Sequence, residues 1–370
     1  MTTRYRIHSL ADVWLDSAVK EHVRAAIAFQ IDHFRTDDLS TAMQAGAARL
    51  RFAPYSSFTG QAPVHFHLVK GSAGGCLHAP HARHAMVVTP EGFDVFSDTG
   101  ETLVNILIQL VALRQGMTFL HSAGWVDLAG RATLLPGPGG VGKTALLSAG
   151  VLRHGVSVLG DDLVLIGQEA RALSFPRAFV LKPYHRNQFP GMFPAASQRR
   201  RAWLGPVMRF AQENVPFRGV LRTLARRAGR LEATSLWMQQ GFTGPDLFPV
   251  PVATLFGNDR VADGGRVSRV IYLERHDRPT FDREDLSLDS LVARSMAVLQ
   301  HEWVDFGRWF NQMAAFELFP LPDYFRSVED SIRSACGAAE RALVRIPTSA
   351  TPDELEAWFE QHFGFVEGKA

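Results

Sequence analysis

Apolar and polar positions along the chain change their period three times, and each change predicts a different kind of element. Over Asp12 to Phe34, residues Val19, Val23, Ala26, Ile27, Ile31 and Phe34 recur at helical spacing. Lys20, Glu21, Arg24 and Asp32 fall largely on the other face, which predicts an amphipathic helix. From Arg49 to Asp98 the pattern becomes short alternating runs broken by Gly and Pro. Val64 to Val69, Ala85 to Val88 and Phe93 to Phe96 read as strands, with Pro90-Glu91-Gly92 as a turn. Thr102 to Gln115 returns to helical spacing through Leu103, Ile106, Leu107, Leu110 and Val111, and Gly116 ends it.

A compact alternation follows. Strands are expected at Thr118 to Leu120, Gly124 to Leu128 and Arg131 to Leu135, with a turn at Ala129-Gly130. A helix is expected from Lys143 to Arg153, then strands at Val156 to Leu159 and Leu163 to Ile166. Short connections of this kind belong to an α/β domain. A further strand, Val267 to Leu273, is expected to rejoin that sheet. From Leu286 onward the pattern reads as helical, with Trp303, Phe306, Trp309, Phe310 and Phe316 as packed core. Phe325, Val328 and Ile332 continue it, and Pro352-Asp353 opens a last helix through Phe363. The expected organisation is an N-terminal α+β accessory domain over 1–100, a core over 101–280, and a C-terminal helical region over 281–370. The core carries an arginine-rich insertion at about 185–240.

Composition adds bounds. The 370 residues are 46% hydrophobic and 21% charged, the balance of a globular protein, and the net charge of +2 gives no argument for nucleic acid. Cys76 and Cys336 supply no disulfide framework and suit a reducing compartment. The N-terminus lacks a signal-peptide pattern, and the longest apolar run, Leu103 to Leu113, is too short to span a bilayer. A cytoplasmic protein without a membrane partner is expected.

The candidate chemistry starts at Gly137-Pro138-Gly139-Gly140-Val141-Gly142-Lys143-Thr144, two glycines four residues apart followed by Lys and Thr. This is the Walker A pattern of a phosphate-binding loop (P-loop). Glycines let backbone N–H groups turn inward and approach phosphate oxygens. Lys143 supplies a cation for the β- and γ-phosphates of ATP, and the Thr144 hydroxyl can ligate Mg²⁺. An apolar strand before the loop and a helix after it put the positive helix end at the anion. The next strand is read as ending at Gly160-Asp161-Asp162. Two carboxylates there can hold Mg²⁺ and leave one to act on a substrate hydroxyl. His121, just after an apolar strand, reads either as a group that assists transfer or as a hydrogen-bonded structural histidine.

The stretch from Leu120 to Gly167 resembles the core of the HPr kinase/phosphorylase family, which shares a nucleotide-binding fold with phosphoenolpyruvate carboxykinase. The shared features are His121, a strand ending in Asp127-Leu128-Ala129-Gly130, the P-loop and its helix, His154-Gly155 and the pair Asp161-Asp162. Phe175-Pro176-Arg177 and Leu181-Lys182-Pro183 add weaker support. The resemblance implies an α/β, P-loop-containing kinase core of that type. It implies that Lys143 contacts phosphates, that Thr144 and Asp162 help hold Mg²⁺, that Asp161 is the base and that His121 assists. It also extends the expectation to a homo-oligomer.

Three departures bear on the acceptor. His121 stands one residue earlier than the family's histidine, Ala145 replaces an acidic residue after the loop, and the later Arg-Gly-x-Gly-Ile signature is absent. The chain therefore reads as an HPr-kinase-related phosphotransferase with a different hydroxyl acceptor, whether protein, peptide or small molecule. An ATP-binding regulatory protein without transfer and a carboxykinase-like enzyme on an organic acid are the alternatives. Nine arginines against the single acid Glu213 between Arg199 and Arg230 read either as a solvated surface or as a lid or dock for an acidic substrate. No nucleic-acid reading motif accompanies them. Five histidines from His65 to His84, with Cys76, match no standard metal-ligand spacing and read as polar loop.

Overall fold

The computed structural model describes residues 2–38, 43–59, 69–71, 74–79, 83–98, 103–181, 185, 189, 192, 248–302, 310–311, 313–315 and 320–366. The chain opens with a hairpin of β1 (Thr3–Ile7) and β2 (Ala11–Leu15), then α1 (Glu21–Ile31) and the short β3 (Arg35–Thr36). β4 (Ala48–Ala53), β5 (Val69–Gly71), β6 (Gly74–Ala79), β7 (His84–Thr89) and β8 (Gly92–Ser97) complete one eight-stranded sheet in the order β3-β1-β2-β4-β8-β7-β6-β5. Of the long helix expected from Asp12 to Phe34, Glu21–Ile31 is α-helix, whereas Asp12–Leu15 belongs to β2. Ala11, Val13 and Leu15 are buried, and an alternation that short is swamped by the helical spacing downstream of Val19. The strands expected over 85–88 and 93–96 are β7 and β8, joined by the tight turn at Pro90-Glu91. Residues 64–68 lie outside the described residues.

α2 (Leu103–Arg114) is buried almost all round. Next come β9 (Met117–Val126), β10 (Arg131–Pro136), α3 (Lys143–His154), β11 (Ser157–Gly160), β12 (Leu163–Gly167) and β13 (Arg171–Leu173). β14 (Phe179–Leu181) and β15 (Phe248–Val250) form a separate antiparallel pair. The chain then continues through β16 (Gly264–His276), β17 (Asp282–Asp285), α4 (Leu288–Glu302), α5 (Leu321–Cys336), β18 (Glu340–Pro347) and α6 (Pro352–His362).

The two strands expected at 118–120 and 124–128 are one, because β9 runs unbroken through the polar His121 and Ser122 with all ten residues buried. The stretch after Leu286 is not wholly helical either. β18 lies parallel to β16, from Arg269↔Glu340 to His276↔Pro347, although its Glu-Arg-Ala-Leu start is good helix-forming sequence. Tertiary pairing overrides that local preference.

Backbone pairings β10–β9, β9–β12, β12–β13, β13–β16 and β16–β10 close a ring of five strands. β18 and β17 extend it beyond β16. α6 starts with a reciprocal cap: the Thr351 hydroxyl accepts from Glu354 N–H, and the Glu354 carboxylate accepts from Thr351 N–H. Ring contacts Phe34–Phe175 at 5.7 Å and Phe119–Phe175 at 4.7 Å join the cores of the two sheets. Phe310 packs tilted against Tyr324 with ring centroids 4.1 Å apart, while Trp303, Phe306, Trp309 and Phe316 lie outside the described residues.

Residues Met1–Arg177 and Val252–Ala370 form one compact unit and Ala178–Pro251 a second. The arginine-rich span 199–230 lies outside the described residues. Cys76 and Cys336 are both free thiols. Among the described residues, no helix is long and apolar enough to cross a membrane.

Candidate active site

The register of β9 assembles the candidate site. On one edge β9 pairs β10, ending at Ser122↔Pro136, so His121 comes level with the first residue of the loop, Gly137. On its other edge β9 pairs β11 (Ser157↔Val126) and then β12 (Leu163↔His121) in the same direction. Asp161 and Asp162 follow directly on β11, which ends at Gly160 as expected. They occupy a break between two collinear segments, and Ser122 N–H still donates to Asp162 O at 3.1 Å. One strand thus holds His121 between the phosphate loop and the aspartate pair.

The loop leaves β10 where β16 runs parallel beside it. Gly137 has φ 153°, and a Cβ there would fall 2.3 Å from Leu273 O. Gly142 caps α3 with φ 113°, and a Cβ there would fall 2.5 Å from Leu355 Cδ2 on α6. Only glycine tolerates both the left-handed backbone and the close approach. The opening turn of α3 thus points its N–H groups into the loop.

Lys143 is buried and turned back on its own loop. Its ammonium donates to Gly137 O at 2.6 Å and Pro138 O at 2.8 Å, and lies 3.3 Å from His121 Nε2. An ammonium only donates, so Nε2 is the acceptor and the imidazole proton sits on Nδ1, which lies 3.5 Å from Asp162 Oδ1. Burial holds the His121 pKa below its ordinary value; Asp162 opposes that shift and Lys143 adds to it. His121 is therefore a neutral bridge between the lysine and one aspartate.

The Thr144 hydroxyl donates to Asp161 Oδ2 at 3.1 Å. Asp162 is held by Arg177 Nη1, and the Arg177 guanidinium lies over the Phe29 ring with 5.7 Å to its centroid. A hydroxyl and two carboxylates thus converge beside the loop. Mg²⁺ is commonly held by one or two carboxylates plus substrate phosphates rather than by an all-protein cage, so this donor set fits a magnesium–nucleotide. Among the described residues, no group of three or more His, Cys, Asp or Glu is arranged to hold a metal ion by itself. Of the upstream histidines, His78 Nε2 is 2.7 Å from the Tyr55 hydroxyl, and His84 is buried on β7.

The loop already holds a carboxylate. Gly139 N–H donates to Glu302 Oε1 at 3.1 Å, from the last residue of α4. This oxygen stands where an amide of such a loop would meet a phosphate oxygen. Glu302 was not legible in the sequence, since 163 residues separate it from its partner. Arg177 had only the weak signal of Phe-Pro-Arg after the aspartate pair.

No family model matches the chain, and no curated protein does. The fold and site define a mixed α/β protein carrying a glycine-rich loop, between a strand and a helix, beside an aspartate pair. Among solved structures, the chain is similar to the HPr(Ser) kinase/phosphatase from Coxiella burnetii, at 12% identity over 66% of this chain and 95% of that one, with a TM-score of 0.27. A likeness that distant carries no residue-level argument, and the functional reading rests on the site itself.

Proposed function

We propose that the protein is an ATP- and Mg²⁺-dependent phosphotransferase, related to the HPr kinases, that moves the γ-phosphate to a hydroxyl of a different acceptor. The observation that carries this reading is the convergence of Thr144 with Asp161, and of Lys143 with His121 and Asp162, beside the middle of β9. Two carboxylates beside the loop allow one to hold Mg²⁺ and the other to act on a substrate hydroxyl.

In this reading Gly137 to Thr144 cradle the triphosphate. The Lys143 ammonium exchanges Gly137 O and Pro138 O for β- and γ-phosphate oxygens. Thr144, Asp162 and Asp161 would hold Mg²⁺, which when bound would supply charge neutralisation for the transfer. Asp161 accepts the proton of the acceptor hydroxyl. The acceptor oxygen bonds to the γ-phosphorus as the bond from that phosphorus to the ADP oxygen breaks. His121 passes no proton in this scheme; it keeps Asp162 and Lys143 in register through opposite ring nitrogens. Arg177 fixes the Asp162 rotamer, and its charge offsets one of the two carboxylates.

A second reading, nucleotide binding without transfer, is favoured by the Glu302 carboxylate on Gly139. Both readings require MgATP to bind the loop, and only the first requires turnover. Titration of the full chain with MgATP, followed by ADP release in the presence of cell extract, tests the pair. Binding with ADP release that depends on Asp161 supports transfer, binding alone supports the regulatory reading, and no binding overturns both.

A further inference from the structure

At the far end of the same strands lies a second charged feature. Arg266 on β16 pairs with Arg131, and Leu273 lies against Gly137. Seven residues of strand at about 3.3 Å each put Arg266 roughly 20 Å from the phosphate loop. Here a cleft of about 930 Å³ opens between the β1–β2 turn, the segment after α1, β13 and the start of β16. Arg6, His8, Arg35, Arg171, Asp263 and Arg266 are among its lining residues.

Arg35, Arg171 and Arg266 are exposed, and the cross-strand register sets two of them side by side. Arg171 lies directly opposite Arg266 in the antiparallel β13–β16 pair, and Arg131 lies opposite Arg266 on the other side. Three arginines abreast on neighbouring strands repel one another, and like charges directly opposite are destabilising. Of the three, Arg131 is neutralised by Asp127, with Nε to Oδ2 at 2.9 Å. Among the described residues, the guanidinium groups of Arg171, Arg266 and Arg35 make no ion pair. The turn into β13 is also strained: Glu169 and Ala170 take φ of 59° and 57°, and His8 on the facing turn takes φ of 50°. Non-glycine residues rarely adopt this region, and such strain concentrates at ligand sites. The walls are tied together rather than loose. His8 Nε2 lies 2.8 Å from Ser174 O, and Phe34 packs against Phe175.

We propose that this cleft is a second anion-binding site, distinct from the phosphate loop, for a small molecule carrying at least two phosphate or carboxylate groups. Arg171 and Arg266 hold one group as a pair, and Arg35 on the opposite wall holds the other. Asp263 and Glu169 also line the cleft and can accept from hydroxyls of a ligand that carries them. The inference stands on this register and strain, independently of the phosphotransferase reading.

Titration calorimetry of the full chain at physiological ionic strength tests it, with pyrophosphate and citrate as separate probes. Saturable binding of either probe is expected, and the stronger of the two distinguishes phosphate from carboxylate as the preferred group. R171A/R266A is expected to weaken that binding about tenfold or more, as the loss of charge-assisted hydrogen bonds implies. MgATP affinity should be unchanged in the same variant. Arg35→Gln provides an independent test from the other wall and should weaken both probes. R266A should also raise the melting temperature of the ligand-free protein by relieving the arginine row. Absence of saturable binding of both probes, or equal binding by R171A/R266A, overturns the proposal.

Discussion

The Thr144 hydroxyl donates to Asp161 Oδ2 at 3.1 Å across 17 residues of sequence, tying the first turn of α3 to the break between β11 and β12. This bond makes the two halves of the candidate site one unit. Thr144→Val keeps the shape and removes the hydroxyl. It is expected to leave the fold intact and to cut magnesium-dependent turnover on the order of 10²-fold. Thr144→Ser should retain most of the activity. Steady-state ADP release against Mg²⁺ concentration checks this; equal activity of Thr144→Val and wild type contradicts a role for the hydroxyl.

Glu302 accepts from Gly139 N–H, the amide that the proposed function gives to nucleotide. Glu302→Gln keeps an oxygen acceptor but removes the charge that resembles phosphate. A hydrogen bond to a charged group contributes about 1.5–3 kcal/mol, so ATP should bind about tenfold more tightly to the variant. Fluorescence titration with an ATP analogue measures the change. Unaltered affinity would mean that the carboxylate does not compete.

The strand–loop–helix around Gly137 to Thr144 was legible because its determinants are local: glycine spacing, the apolar strand before it and the helix-forming run after it. The aspartate pair was legible as residues but not as geometry. Gly160-Asp161-Asp162 reads as a strand end, and only the shared pairing of β11 and β12 with β9 shows that the strand line resumes. His121 was ambiguous for the same reason, since its neighbours in space come from the register of two strand pairs. β18 was misread because a parallel strand that pairs 71 residues away carries no local turn signal. The β2 strand was lost because the strong periodicity of α1 extends its apparent helix backwards.

The fold also predicts an acid response. His84 is buried, and burial presses its pKa down to about 3, with His78 adding to the shift. Its unfolded value is near 6.5, so between about pH 6.5 and 3 the unfolded chain binds a proton that the folded chain refuses. The contribution of neutral His84 is present above about pH 6.5 and lost as pH falls through that window, at about 1.4 kcal/mol per pH unit. His84→Gln should show a correspondingly shallower fall in unfolding free energy between about pH 6 and 4. Denaturant unfolding at several pH values gives both slopes, and identical slopes contradict the assignment.

Position 142 tests the cradle itself. Gly142→Ala combines a left-handed backbone with a Cβ 2.5 Å from Leu355 Cδ2. It should abolish ATP binding, while Leu355→Ala in the same chain relieves the contact but not the backbone strain and restores only part of it. Calorimetric titration with MgATP of the single and double variants reads this. Full ATP affinity in Gly142→Ala contradicts the role given to the loop.

In the proposed transfer, Asp161 takes the proton of the acceptor hydroxyl. The most direct measurement is transfer of label from γ-labelled ATP with Mg²⁺ into acceptors of a cell extract, comparing wild type with Asp161→Asn. Wild type should label an acceptor, and Asp161→Asn should fall by on the order of 10³-fold or more while its ATP affinity stays within a few-fold. Transfer by Asp161→Asn at the wild-type rate would contradict the account.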